Sequence, residues 1–271
     1  MSFSELTNRD TLRASCAPAR LGIATSFLVA FLTILGFGNL AFGEIVASLQ
    51  SISGVSGVSS DSESYSIADI NANGGIVIGD ILFDSFSVTS SSLNAVAPTA
   101  ASIQITGVDI DGAYGFQVNA AWTASGGQSV DTTITFHASV LPTAVAQGKA
   151  FDGNALYMTA VDGANTTGGN ASISERLFAA YPGLGGSSFA HEFTYYTTDA
   201  DESLGGEAKF APVTGMWVKK DIAVTGGVGP GGVMHLSEFY ETFQAPEPSA
   251  LALLAIGAVG PLGYLWRRRS R

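Results

Sequence analysis

Cysteine is almost missing from this chain: Cys16 stands alone in 271 residues, ahead of the first long apolar run. If that front segment is removed on maturation, no thiol remains. A disulfide framework, a thiolate-held metal and a cysteine nucleophile are then excluded. Charge is scarce too, at 13% of residues. That is too little for long solvated helices, while 46% hydrophobic residues are too many for a disordered chain. Basic residues are scarcest in the middle. Arg9, Arg13 and Arg20 sit near the front, and Arg267, Arg268, Arg269 and Arg271 at the back. Between them stand Lys149, Arg176, Lys209, Lys219 and Lys220, against 23 acidic residues in the whole chain. An acidic body repels polyanions, so nucleic acid is not an expected partner.

Catalytic patterns are also lacking. His137, His191 and His235 lie far apart, with no pair at helical ligand spacing. There is no Gly-x-Ser-x-Gly elbow and no P-loop. Acidic residues are plentiful, but nothing in the sequence selects a working pair. No catalytic residue is assigned, and the chain is not expected to be an enzyme.

What is present is clearest at the two ends. At the front, three arginines precede an apolar stretch from Leu21 to Leu35, then Gly36-Phe37-Gly38 and Ala41-Phe42-Gly43. A positive segment, an apolar segment and a small-x-small site make a secretory leader, residues 1–43. Ala41 and Gly43 fit the signal peptidase pocket, with a cut after Ala47 as the second choice. The alternative is an uncleaved anchor. At the back, Ser249 to Trp266 carries no charge and is just long enough to span a thin bilayer as one helix. Four arginines follow at once and are expected to stay on the cytoplasmic side, which stops transfer and leaves the body outside. A buried core helix is the alternative, made improbable by the adjoining arginines.

Pro246-Glu247-Pro248 stands immediately before that run. Two prolines forbid helix and hold an extended segment at the membrane surface. The motif, the apolar helix and the terminal arginines together resemble the PEP-CTERM sorting signal, over residues 246–271. The resemblance implies recognition by an exosortase, an integral membrane cysteine protease, in a bacterium that makes extracellular polymeric matrix. It implies cleavage near the motif and delivery of the body to the cell surface or matrix. A simple anchor that is never cut is the alternative.

The body, residues 44–245, reads as all-β. Val130, Ile134, Phe136, Ala138 and Val140 alternate with Asp131, Thr133, Thr135, His137 and Ser139. Phe116, Val118, Ala120 and Trp122 alternate with Gln117, Asn119 and Thr123. Met216, Val218, Ile222 and Val224 repeat the pattern, with Lys220 out of character. Period-two alternation means strands with one buried and one wet face. Gly-rich turns separate them, which favours an antiparallel sandwich or jelly roll. A helical turn or two is expected only at 143–147 and 174–181.

Two binding ideas follow. Asp69, Asn71 and Asn73 with Gly74 and Asp80 echo a calcium loop of the EF-hand type, with hard oxygens at alternating positions. An Asn-Gly-Gly hairpin turn is the preferred reading, so no cofactor is assigned, calcium being the one possibility. Trp122, Trp217 and Tyr195-Tyr196 could stack on sugars, although the alternation puts Trp122 inside. The sequence therefore points to an exported structural or interaction protein of the envelope or matrix, with a polysaccharide-binding module as the alternative.

Overall fold

The computed structural model describes residues 44–51, 57–164, 167–184, 186–198, 202–228 and 231–245. The chain runs β1 (Ile45–Val46), β2 (Leu49–Ser51), β3 (Val58–Asp61), β4 (Tyr65–Ser66), α1 (Ile67–Ala72), β5 (Ile76–Ile78), β6 (Ile81–Leu93), β7 (Gln104–Ile110), β8 (Ala113–Ser125) and β9 (Ser129–Val140). One helical turn, α2 (Pro142–Val145), precedes β10 (Phe151–Ala164) and β11 (Asn170–Phe178). A 3-10 turn at Pro182–Leu184 leads to β12 (Ala190–Thr197), β13 (Glu202–Ser203), β14 (Gly205–Val213), β15 (Gly215–Thr225) and β16 (Val233–Gln244).

These strands form two sheets face to face. The first runs β1-β5-β6-β9-β15-β11-β12-β13. The second runs β14-β10-β16-β8-β7-β3-β2, with β4 beside β7. Pairing is antiparallel except between β1 and β5, which are parallel. The all-β sandwich is therefore as the alternation dictates. Val130, Ile134, Phe136, Ala138 and Val140 of β9 are all buried, as are Phe116, Val118 and Trp122 of β8. Phe83, Phe86, Phe116, Phe136 and Phe243 form the centre of the core, with Phe83 and Phe116 edge-to-face at 5.0 Å. Each such side chain contributes about 1.5–3 kcal/mol on burial.

One break in the alternation is built into β6. Ile81 and Phe83 point inward, but so do Phe86 and Val88, whose parity is opposite. Ser85 supplies the extra residue at φ 56°, and the pairing with β9 shifts between Asp84 and Ser87. A β-bulge at this point keeps both halves of a long strand facing the core.

Two local expectations need correction. The Asn73-Gly74-Gly75 turn and the strand that ends before Gly79-Asp80 are present, but the turn closes helix α1 rather than joining two strands of a hairpin, and Asp69–Ala72 belong to that helix. Ser66 caps the helix: its hydroxyl accepts from the Asp69 amide at 3.0 Å and donates to the Asp69 carboxylate at 2.6 Å. With Ile67 and Ile70 fully buried, the cap and two apolar contacts hold residues 67–72 in a helix ahead of the Asn-Gly-Gly turn. Gly74 and Gly75, at φ 83° and 140°, then end the helix and feed β5. Likewise Ser174–Phe178 is not helical. It belongs to β11, where Ala171, Ile173, Glu175 and Leu177 alternate inward. The turn expected at 143–147 is present as α2.

Candidate functional site

Among the described residues, chemistry concentrates on the open face of the first sheet and in a knot of ionisable side chains between the sheets. The open face comes from the outward residues of β6, β9, β15, β11 and β12. Register places Asp84 opposite His137 and His137 opposite Trp217. Lys219 lies opposite Arg176, and Arg176 opposite His191. His137 Nδ1 is 3.5 Å from Asp84. Burial alone would raise the Asp84 carboxyl, but hydrogen bonds from His137 and Ser85 bring it below its usual range. Trp217 packs against the His137 ring at 5.1 Å and edge-on against Tyr181 at 4.9 Å. Farther along, Phe193 and Tyr195 stack at 5.7 Å, and Phe193 is 49% exposed.

Of the aromatics named from sequence, Trp122 lies in the core, with its indole N–H donating to Thr132 at 3.0 Å. Tyr195 and Tyr196 are neighbours on one strand, so they point to opposite faces, and Tyr196 packs on the core. Only Trp217 and Tyr195 of that set reach the open face. The three histidines all point outward: His191 accepts or shares a hydrogen bond with Ser174 at 3.1 Å, and His235 with Thr123 at 2.9 Å.

The second place was hidden in the sequence. Lys220 occupies an inward position of β15, flanked by Val218 and Ile222, and its side chain is buried. Directly across the ladder lies Glu175 of β11, and across from Glu175 lies Glu192 of β12. From the facing sheet come Glu241 of β16 and Asn154 of β10. Lys220 Nζ donates to Glu175 and to Glu241. Asn154 Nδ2 donates to the other oxygen of each, reaching Glu241 at 3.2 Å. The Lys220 ammonium also sits 5.6 Å from the Phe239 ring centre. Among these five residues the largest exposure is 5%, at Glu192.

Three carboxylates and one ammonium in a dry core cannot all stay charged. Burial pushes Lys220 below the ordinary lysine value, against the pull of Glu241. Burial pushes Glu241 up, against the pull of Lys220 and Asn154. Both directions favour the neutral pair. Burial, reinforced by the charge of Glu241, raises Glu192 to about 9. Neither oxygen of Glu192 has a well-formed hydrogen bond; the amides of Ala208 and Leu156 are the groups that favour its charge. The Asn154 carbonyl oxygen is also without a donor.

The four residues of the calcium-like loop have other occupations. Asp69 is bound to its cap Ser66. Asn71 holds the backbone of Phe86 at both its amide and its carbonyl, at 3.1 and 2.8 Å. Asn73 donates to the Asp69 carbonyl at 2.9 Å. Asp80 pairs with Lys149 at 2.7 Å. Among the described residues no three His, Cys, Asp or Glu gather in a metal-holding group. Ala41 and Gly43, Pro246, Glu247 and Pro248, and the arginines at 267, 268, 269 and 271 lie outside the described residues. So does the apolar run 249–266; among the described residues no helix is long and apolar enough to cross a membrane.

Body and tail together define an all-β sandwich followed by a C-terminal address. Residues 244–269 match the PEP-CTERM protein-sorting motif, so the chain carries the sorting tail that its last residues resemble. The motif implies export, a membrane-anchored precursor and handling by an exosortase. No curated protein sequence matches the chain. Among solved structures, TmCBM61 in complex with β-1,4-galactotriose is similar at 10% identity, over 59% of this chain and 88% of that one, with a TM-score of 0.26. The enzymatically active domain of bacteriophage CBA120 tailspike protein 4 is similar at 14% identity, over 61% and 20%, with a TM-score of 0.24. A family 11 carbohydrate-binding module from Clostridium thermocellum in complex with a mixed-linked tetrasaccharide is similar at 12% identity, over 74% and 97%, with a TM-score of 0.19. At such scores these likenesses carry no argument about ligand.

Proposed function

We propose that this protein is an exported structural or interaction protein of the cell surface or extracellular matrix, cleaved from its membrane anchor through the Pro246-Glu247-Pro248 motif. The observation that supports this most is the join between body and tail. The sorting motif begins at residue 244, where the last strand of the sandwich ends. The last described strand thus ends where the motif begins, which supports a cut near the motif that frees the β-body as a unit. Cells with and without their exosortase test the reading. The expected result is release of a shortened body in the first and a longer, membrane-bound form in the second. The same mass and location in both would defeat it.

A second reading, binding of matrix polysaccharide, is supported by the two aromatic pairs on the open face. Trp217 with Tyr181, and Phe193 with Tyr195, flank a row that contains Lys219, Arg176 and His191. Four residues along the strands separate the Trp217 row from the Phe193 row, about 13 Å. Aromatic faces with polar groups between them suit sugar rings, whose C–H faces stack and whose hydroxyls need donors and acceptors. Electrophoresis of the exported protein in gels containing the native polysaccharide tests this. Retardation that is lost together in Trp217→Ala and Phe193→Ala supports it; no retardation refutes it.

A further inference from the structure

The knot between the sheets has the parts of a reaction. We propose that Lys220 and Asn154 join in an intramolecular amide bond, Nζ to Cγ, with release of ammonia, and that Glu175 and Glu241 carry the protons. The inference is independent of where the protein is sorted, and it rests on the geometry of the five buried residues.

Lys220 and Asn154 come from opposite sheets, yet both are bound to the same two carboxyl groups. Each carboxyl gives one oxygen to the lysine and the other to the amide. Amine, carboxamide and two proton carriers are therefore held within one hydrogen-bonded ring. Asn154 is the acceptor because its carbon carries no negative charge. An amine attacks a carboxamide more readily than a carboxylate, whose charge repels the incoming electron pair. Asn154 also leaves its carbonyl oxygen without a donor. A half-turn of the amide about Cβ–Cγ presents that oxygen to a protonated Glu241.

The steps balance. Lys220 gives a proton to Glu175 and becomes a free amine. Its lone pair attacks Cγ of Asn154 while Glu241 protonates the oxygen. One proton of the attacking nitrogen passes to a carboxylate. The intermediate then collapses: Nδ2 takes a proton from Glu175, and the Cγ–Nδ2 bond breaks. The oxygen's proton passes to the vacated Glu175 and on to the departing ammonia, so the products are a secondary amide and ammonium, with Glu175 again a carboxylate and Glu241 again an acid. No oxidant, metal or cofactor is required. The dry site favours the neutral amine and the neutral acid over the charged pair, which is the state the attack needs. Fixed placement replaces collision between reactants. Glu192, protonated beside Glu175, limits the negative charge of the site without taking part.

The test is a protease digest of the full chain, read by tandem mass spectrometry. The expected product is a branched peptide that joins the segment containing Asn154 to the segment containing Lys220. It is lighter than the two segments by one ammonia, and trypsin no longer cuts after Lys220. Glu241→Gln, which preserves size, should slow the reaction by about 100-fold or more, the usual share of a proton carrier. The wild-type digest decides the matter even if that variant folds poorly. Three results overturn the proposal: an intact Asn154 with free Lys220 in folded protein, ammonia loss confined to the Asn154 peptide, or a branch that has lost water and leads from Lys220 to a glutamate.

Discussion

Glu241 on β16 and Lys220 on β15 belong to different sheets, yet their carboxyl and amino ends meet in the middle of the sandwich. Each would be a buried ionisable group without a partner if the other were removed. Lys220→Met should therefore cost about 3–5 kcal/mol of stability, although methionine is apolar and similar in length. Adding Glu175→Gln and Glu241→Gln should recover much of that loss, since no charge is then left alone. Urea midpoints of the three chains check this. A single variant as stable as the parent would mean the cluster is not organised around the lysine.

The raised glutamate gives a pH dependence of fixed sign. Unfolded, Glu192 ionises near 4.5, and folded it ionises at about 9. Between these values the native state holds a proton that the unfolded state releases. Its contribution is full below 4.5 and is lost as the pH rises to about 9, at no more than roughly 1.4 kcal/mol per pH unit. Glu241 acts in the same direction. In a chain that has not formed the Lys220–Asn154 bond, Lys220 acts oppositely on the alkaline side, because its native value is lowered from 10.5. Glu192→Gln should flatten the decline. Identical midpoint-against-pH curves for variant and parent would contradict the assignment.

Helix α1 depends on its cap. Ser66→Ala should lower stability by about 1 kcal/mol, because one amide loses its acceptor and Asp69 loses its partner. Calcium should leave the melting temperature of the parent and of Asp69→Ala equally unmoved, since the loop oxygens serve the helix and the backbone of Phe86. A rise with calcium that disappears in Asp69→Ala would restore the metal reading.

For the tail, Glu247→Ala should leave membrane insertion intact, because the residue lies outside the apolar run, and should slow processing. Accumulation of uncut precursor in the inner membrane is the expected outcome. Replacing Arg267, Arg268, Arg269 and Arg271 by neutral residues should instead weaken retention, since nothing then opposes passage of the last turns. Immunoblots of membrane and medium fractions separate the two effects. Processing of Glu247→Ala at the parental rate would remove that residue from the motif.

Much of the body was legible in the sequence because its signals are local. The alternation in β8, β9 and β15 states which residues face inward, and the buried Trp122 follows from parity alone. The Asn73-Gly74-Gly75 turn is legible, whereas helix α1 before it is not, because it is only six residues long and its Ser66–Asp69 cap is one reciprocal contact. Strand β11 was misread because Glu175 interrupts its apolar rhythm. The buried knot was legible only as an anomaly, a lysine where a valine or isoleucine was due. Its partners lie 21 to 66 residues away in the chain, and only the stacking of the sheets brings them together. Nothing in local spacing could have named Glu241 or Asn154.

Strand β16 also decides how the body bears load. It ends one residue before Ala245 and the Pro-Glu-Pro segment, and it lies between β10 and β8 rather than at an edge. Tension drawn through the tail acts along this strand and stresses two hydrogen-bonded ladders in shear, all rungs at once. A tail leaving from the edge strand β14 would open one ladder rung by rung, like a zip. While the tail holds the precursor, a pull on it therefore enters through an interior strand, and Glu241 on that strand ties the pull to the opposite sheet.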